Sequence, residues 1–133
     1  DIRREAIYDR AKAYMATDRD DLATRDLNEL AADTRTKEGA EAKYLLAQMK
    51  FDQKRYGECE EIIMDYINES TPHAYWLARS FILLSDLYKA QDKLMEAKQY
   101  LVSLQNNYSG DDDIEEMIEK RLKEIQFVNG QKR

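Results

Sequence analysis

Phe81-Ile82-Leu83-Leu84-Ser85-Asp86-Leu87-Tyr88, followed after a short polar break by Leu94-Met95-Glu96-Ala97-Lys98-Gln99-Tyr100-Leu101, is the stretch that decides the fold. Phe81, Leu84, Leu87 and Tyr88 recur at the spacing of a helix face, and so do Leu94, Ala97, Leu101 and Leu104. Ser85 and Ala97 are small, twelve positions apart, and flanked by large apolar residues. Two antiparallel helices that cross closely need small side chains where their backbones approach. The large residues on either side then fill the groove against a neighbouring hairpin. A hairpin alone cannot bury that second face, so the pattern calls for more hairpins.

They are present. Shifting this unit back by 38 residues lays Leu46-Ala47 on Leu84-Ser85, Cys59 on Ala97 and Ile63 on Leu101. A further shift of 36 lays Ala11 on Ala47, Ala23 on Cys59, Leu27 on Ile63 and Leu30 on Tyr66. Three copies thus share the two small positions and the bulky residues after them. The spacing predicts six helices: from Ile2 to Ala16, through Leu22–Ala31, Ala40–Phe51, Tyr56–Ile67, Tyr75–Tyr88 and Leu94–Leu104. Asp33 to Gly39 reads as a polar break, Pro72 as a residue of the first turn of the fifth helix, and Gly110 as a left-handed terminator after the sixth. Asp111–Asp113 then opens a seventh helix, over about 111–127, with Ile114, Met117, Ile118, Leu122 and Ile125 on one stripe and charge elsewhere. A one-faced terminal helix is what seals an open solenoid end.

Working outward, the whole chain supports this reading. It has 133 residues, 43% hydrophobic and 36% charged, with four glycines and one proline. So few breakers do not punctuate a sheet protein. The apolar share is enough for a core, which excludes a disordered chain. One cysteine and one histidine leave out a disulfide framework, multi-cysteine zinc sites and most nucleophile–base pairs. No apolar run approaches the roughly 18 residues of a membrane span. Acids outnumber bases, 27 to 21, for a net charge of −6, and the bases are interspersed with acids. Nucleic acid is therefore not an expected partner, because phosphate binding wants a clustered basic face. His73 reads as a surface residue near a helix start, and Cys59, at the small position, as a buried core thiol.

Phe81-x-x-Leu84-Ser85-x-x-Tyr88 with Ala97-x-x-x-Leu101 resembles the tetratricopeptide repeat. The second copy keeps Leu46-Ala47 and Ile63 but carries Lys50 at the tyrosine position and Cys59 at the alanine position. The first keeps Ala11, Tyr14, Ala23 and Leu27 but has Arg10 where leucine belongs. The resemblance implies an all-α, right-handed α-solenoid of three hairpins (about 2–37, 38–71 and 72–109) with a C-terminal capping helix, forming one domain. Tyr56, Tyr66 and Asn106-Asn107-Tyr108-Ser109 are loosely similar to bacterial cell-envelope members, which favours the periplasm or envelope over the cytoplasm. The one-sided cap and the opening at Asp1 lead us to expect the C-terminal piece of a longer protein.

The resemblance also implies a function: a scaffold without catalysis or cofactor that binds a peptide or partner domain on the concave face lined by the first helix of each pair. Carried across residue by residue, that face comprises Glu5, Tyr8, Lys12 and Met15, then Glu41, Tyr44, Gln48, Phe51 and Asp52, then Arg79, Ile82, Asp86 and Lys89. Tyr8, Tyr44 and Phe51 are candidate aromatic anchors. Lys12, Arg79 and Lys89 are candidates for gripping acidic groups, and Gln48 and Asp86 complete the candidate set on that face. The same aromatics would serve equally as packing between repeats. Tyr8 and Leu83 occupy places where chaperone-tail binders need other residues, so chaperone C-terminal tails are not expected. Two other roles remain open at this level: a structural one, docking intramolecularly or self-associating through the first hairpin, and a regulatory or sensing module attached to an upstream enzyme or transcription regulator.

Overall fold

The computed structural model describes residues 1–131 of the chain. It is all-α: α1 Ile2–Ala16, α2 Asp20–Ala31, α3 Lys37–Asp52, α4 Tyr56–Asn68, α5 Ala74–Ala90, α6 Leu94–Asn107 and α7 Ile114–Gln131, with no strand among the described residues. The chain divides into two compact units, one from Asp1 to Leu77 and one from Ala78 onward, so the division falls inside α5.

All six expected small positions are closed to solvent: Ala11, Ala23 and Cys59 in the first unit with Ala47, and Ser85 and Ala97 in the second, none more than 1% exposed. In the second unit the Ser85 hydroxyl donates to the Ala97 carbonyl at 2.9 Å, so the closest approach of α5 and α6 is also a hydrogen bond. The turns repeat with the same register. Asp18, Lys54 and Asp92, spaced by the 36 and 38 of the sequence repeat, all sit at φ near +60°. The next residue in each, Arg19, Lys93 and Arg55, returns its N–H to the carbonyl five residues back (Tyr14, Tyr88 and Lys50) at 2.8 Å. That is the bonding of a left-handed helix stop followed at once by a new helix. Lysine gains nothing from the left-handed region, whereas Asp tolerates it. The turn is held there by the register of the two helices it joins.

Glycine and proline are the points where the sequence expectation is corrected. Gly39 is not part of a break: α3 begins at Lys37, with Thr36 as its cap, the Thr36 hydroxyl accepting from the Gly39 N–H at 2.9 Å. A Cβ on Gly39 would strike the carbonyl oxygens of Asp33 and Leu30, the latter at 2.6 Å, so glycine lets α3 start against the end of α2. Pro72 precedes α5 by two residues rather than sitting in its first turn. Gly110 has no positive φ and is not a left-handed terminator; α6 ends at Tyr108 in an extended conformation. The three aspartates do not open α7 as helix. The Asp112 carboxylate accepts from the Ile114 N–H at 3.0 Å, capping a helix that starts at Ile114 and runs beyond the expected 127.

In the first unit, Ile7, Ala11, Leu27, Leu30, Ala42 and Leu46 form the core between α1, α2 and α3, with Ile62 of α4 against it. Arg10, the residue that departs from the repeat pattern, has its partner here. Its guanidinium bonds both oxygens of Asp26, at 2.7 and 2.8 Å, and Asp26 is 1% exposed. In the next repeat the same two places hold Leu46 and Ile62, so an ion pair replaces an apolar contact between the two helices of a hairpin. The loops between hairpins are also tied together. Thr34 donates to Glu69 at 2.8 Å, Thr71 donates to the Thr34 carbonyl at 2.7 Å, and the His73 ring meets the Arg35 carbonyl at 2.8 Å. His73 is thus half-buried and engaged. In the second unit, α7 packs along α6 and buries Ile114, Ile118 and Ile125.

Candidate functional site

The first helix of a hairpin presents one residue per turn to the same side, which in α1 gives Glu5, Tyr8 and Lys12 and in α3 gives Glu41, Tyr44 and Gln48. In the first unit these residues do come together. The Tyr8 hydroxyl donates to Glu41 at 2.8 Å, Lys12 pairs with the other Glu41 oxygen at 2.9 Å, and the Lys12 ammonium stands 5.6 Å from the centre of the Tyr8 ring. Tyr44 donates to Gln48 at 3.0 Å, and Gln48 donates onward to Asp52 at 2.9 Å. Tyr44 is only 6% exposed, its ring 5.6 Å from that of Trp76. Phe51 packs 5.6 Å from Tyr56. The aromatic surface at Tyr44 and Phe51 is thus largely committed to neighbours, while Tyr8 keeps part of its surface open.

Beside Tyr8 lies a cavity of about 390 Å³, lined by Glu5, Tyr8 and Asp9 of α1, Lys37, Glu38 and Glu41 of α3, and Trp76 of the first turn of α5. Its size is at the small end of ligand sites. Its charge is mainly negative. Burial pushes the Tyr8 phenol up to about 12, helped by the hydrogen bond to Glu41 and by the carboxylates of Glu41, Asp9 and Glu38. Asp9, Lys37, Glu38 and Trp76 were not among the residues carried over from the repeat. Glu38 and Trp76 occupy the same place in successive repeats, 38 residues apart and one turn ahead of the expected face, so the repeat register itself held the signal.

In the second unit two of the expected residues, Asp86 and Lys89, face α7. Asp86 accepts from Arg121 at 2.8 and 3.0 Å, and Lys89 pairs with Glu124 at 3.0 Å. The Lys89 bond and the neighbouring cations Lys120 and Arg121 hold the Glu124 carboxyl below its ordinary value. α7 therefore meets α5 much as α3 meets α1, through polar pairs on the first-helix face. Asp86 and Lys89 are spent within the unit, and Arg79 is half-buried.

Elsewhere the chemistry is sparse. Burial pushes the Cys59 thiol up to about 12, so it is not a thiolate near neutral pH. Among the described residues no three His, Cys, Asp or Glu side chains are placed to hold a metal ion, and no helix is long and apolar enough to cross a membrane. Neither a protein-family model, nor a curated protein, nor a solved structure matches the chain.

Proposed function

We propose that the chain is a non-catalytic interaction scaffold of the tetratricopeptide kind, and that it takes a peptide or partner segment on the α1–α3 face of its first unit. What carries this reading is the cavity beside Tyr8: an opening with carboxylates from two successive first helices, α1 and α3, and an aromatic wall from Tyr8 and Trp76. Aromatic side chains and charges that converge on one concavity are the usual ingredients of a peptide anchor. Asp86 and Lys89 of the second unit are already engaged by α7, which concentrates the proposed binding on α1 and α3.

The test is a selection of peptides from a random library displayed on phage, followed by backbone NMR of the labelled protein with the selected peptide. Shift changes centred on α1, α3 and the first turn of α5 are expected. Reversing the exposed Glu5 and Asp9 to lysine is expected to remove binding without lowering the melting temperature. Shifts centred on α2 and α4, or binding indifferent to the reversal, would overturn the α1–α3 assignment.

A further inference from the structure

One carboxylate in the cavity stands out from the rest. Glu41 is satisfied twice over, by Tyr8 and by Lys12. Glu5 and Asp9 are exposed and solvated. Glu38 is only 7% exposed, yet no hydrogen bond or ion pair reaches it among the described residues. A carboxylate with so little access to solvent gains from a partner, and its oxygens, which are not fully enclosed, meet solvent at the opening it lines. Its place in the first turn of α3 supplies some compensation from the helix dipole, but that does not explain why it lines an opening. The one cation in the wall, Lys37, is its chain neighbour, and successive residues of a helix do not face each other. Trp76 and Tyr8 provide ring surface in the same wall.

We infer that the cavity receives the guanidinium of an arginine on a basic peptide segment, with Glu38 as its carboxylate partner and Trp76 and Tyr8 as the aromatic walls. This rests on the α1–α3 face being the binding face, and it adds the polarity and the side chain. A planar guanidinium bonds a carboxylate through two N–H groups and stacks on aromatic rings. A metal ion would need several converging ligands, and no such group is present among the described residues. The net charge of −6 steers a basic segment toward the protein.

The probe is a fluorescein-labelled hexa-arginine peptide, with a hexa-citrulline peptide of equal length as the uncharged control. Anisotropy is expected to show binding of the first and not the second, and Trp76, the only tryptophan, is expected to change its emission on binding. Glu38→Gln keeps the shape and removes the charge, and is expected to weaken binding about tenfold or more. Asp111→Asn, an exposed change of equal charge in the second unit, is expected to weaken it less than about twofold. Equal losses in the two variants would mean general charge attraction and overturn the inference, as would an unchanged Trp76 signal or full binding by Glu38→Gln. Trp76→Leu is a second route should Glu38→Gln fold poorly, and retention of tight binding there overturns the inference as well. If library peptides bind the α1–α3 face without arginine and ignore Glu38→Gln, the arginine assignment falls while the binding face stands.

Discussion

At the scale of single residues, Gly39 is the position where the fold has least freedom. Glycine in a helix normally loses about 0.5–1 kcal/mol against alanine, so its presence in the first turn of α3 needs a reason. The reason is the pair of carbonyl oxygens, from Leu30 and Asp33, that lie where a Cβ would go. These are backbone atoms at the end of α2 and cannot rotate aside as a side chain would. Gly39→Ala is therefore expected to lower stability by about 1–3 kcal/mol despite alanine's better helix propensity. A lower urea midpoint with unchanged slope, followed by circular dichroism, is the expected result, and a gain in stability would contradict the close approach. The glycine was legible as a boundary in the sequence, because glycine commonly breaks helices. Its actual role was not, since that depends on a contact with the preceding helix. Glu38 was hidden for a similar reason. Next to a helix start it resembles any first-turn acid, and only folding shows that it is largely buried in the wall of a cavity that Tyr8 and Trp76 also line.

At the scale of elements, the repeat register was readable because it is written in volume. A small residue at six places and a large one at the next turn leave few alternative crossings, and those places are the closed ones. What volume does not disclose is how an exception is accommodated. Arg10 looked like a defect in the first hairpin, and it is half of an ion pair that joins α1 to α2 through Asp26. The Arg10 bonds hold the Asp26 carboxyl below its ordinary value, against the opposing effect of burial. The sign of the pH effect follows. In the unfolded chain this carboxyl titrates near the ordinary value of about 3.9, and in the folded chain it titrates lower. The stabilisation is complete above about pH 5 and is lost as pH falls through the ordinary value toward the folded one. Asp26→Asn is expected to be less stable than the parent at neutral pH, and the gap is expected to shrink on acidification. Urea midpoints for the pair at several pH values between 7 and 3 measure it, and a gap that does not narrow would detach Asp26 from this role.

At the scale of the whole molecule, the question is what covers the apolar side that the two helices of a hairpin leave open. In the second unit that side of α6 is covered by α7, which buries Ile114, Ile118 and Ile125 to 2% exposure or less. At about 1.5–3 kcal/mol for each fully buried aliphatic side chain, the three contribute of order 5–9 kcal/mol, an upper figure because the unfolded chain is not fully extended. That is comparable to the whole stability of a small domain. The polar pairs add direction more than energy. Arg121 with Asp86 and Lys89 with Glu124 set α7 in register along α5, where exposed pairs are individually worth little. The sequence showed that α7 had one apolar stripe, but not that its charged side would meet α5, because both partners of each pair look like ordinary surface charge. Ending the chain after Asn107 removes the cover and strands Asp86 and Lys89 together. The truncated protein is expected to lose more helix signal than the residues of α7 account for, and to scatter light as soluble aggregates, since the newly bared face of α6 has no other cover within its unit. A truncated chain that stays monomeric and keeps α5 and α6 fully helical would show that the second unit is held by the α5–α6 crossing at Ser85 and Ala97 alone, and that α7 is dispensable to it.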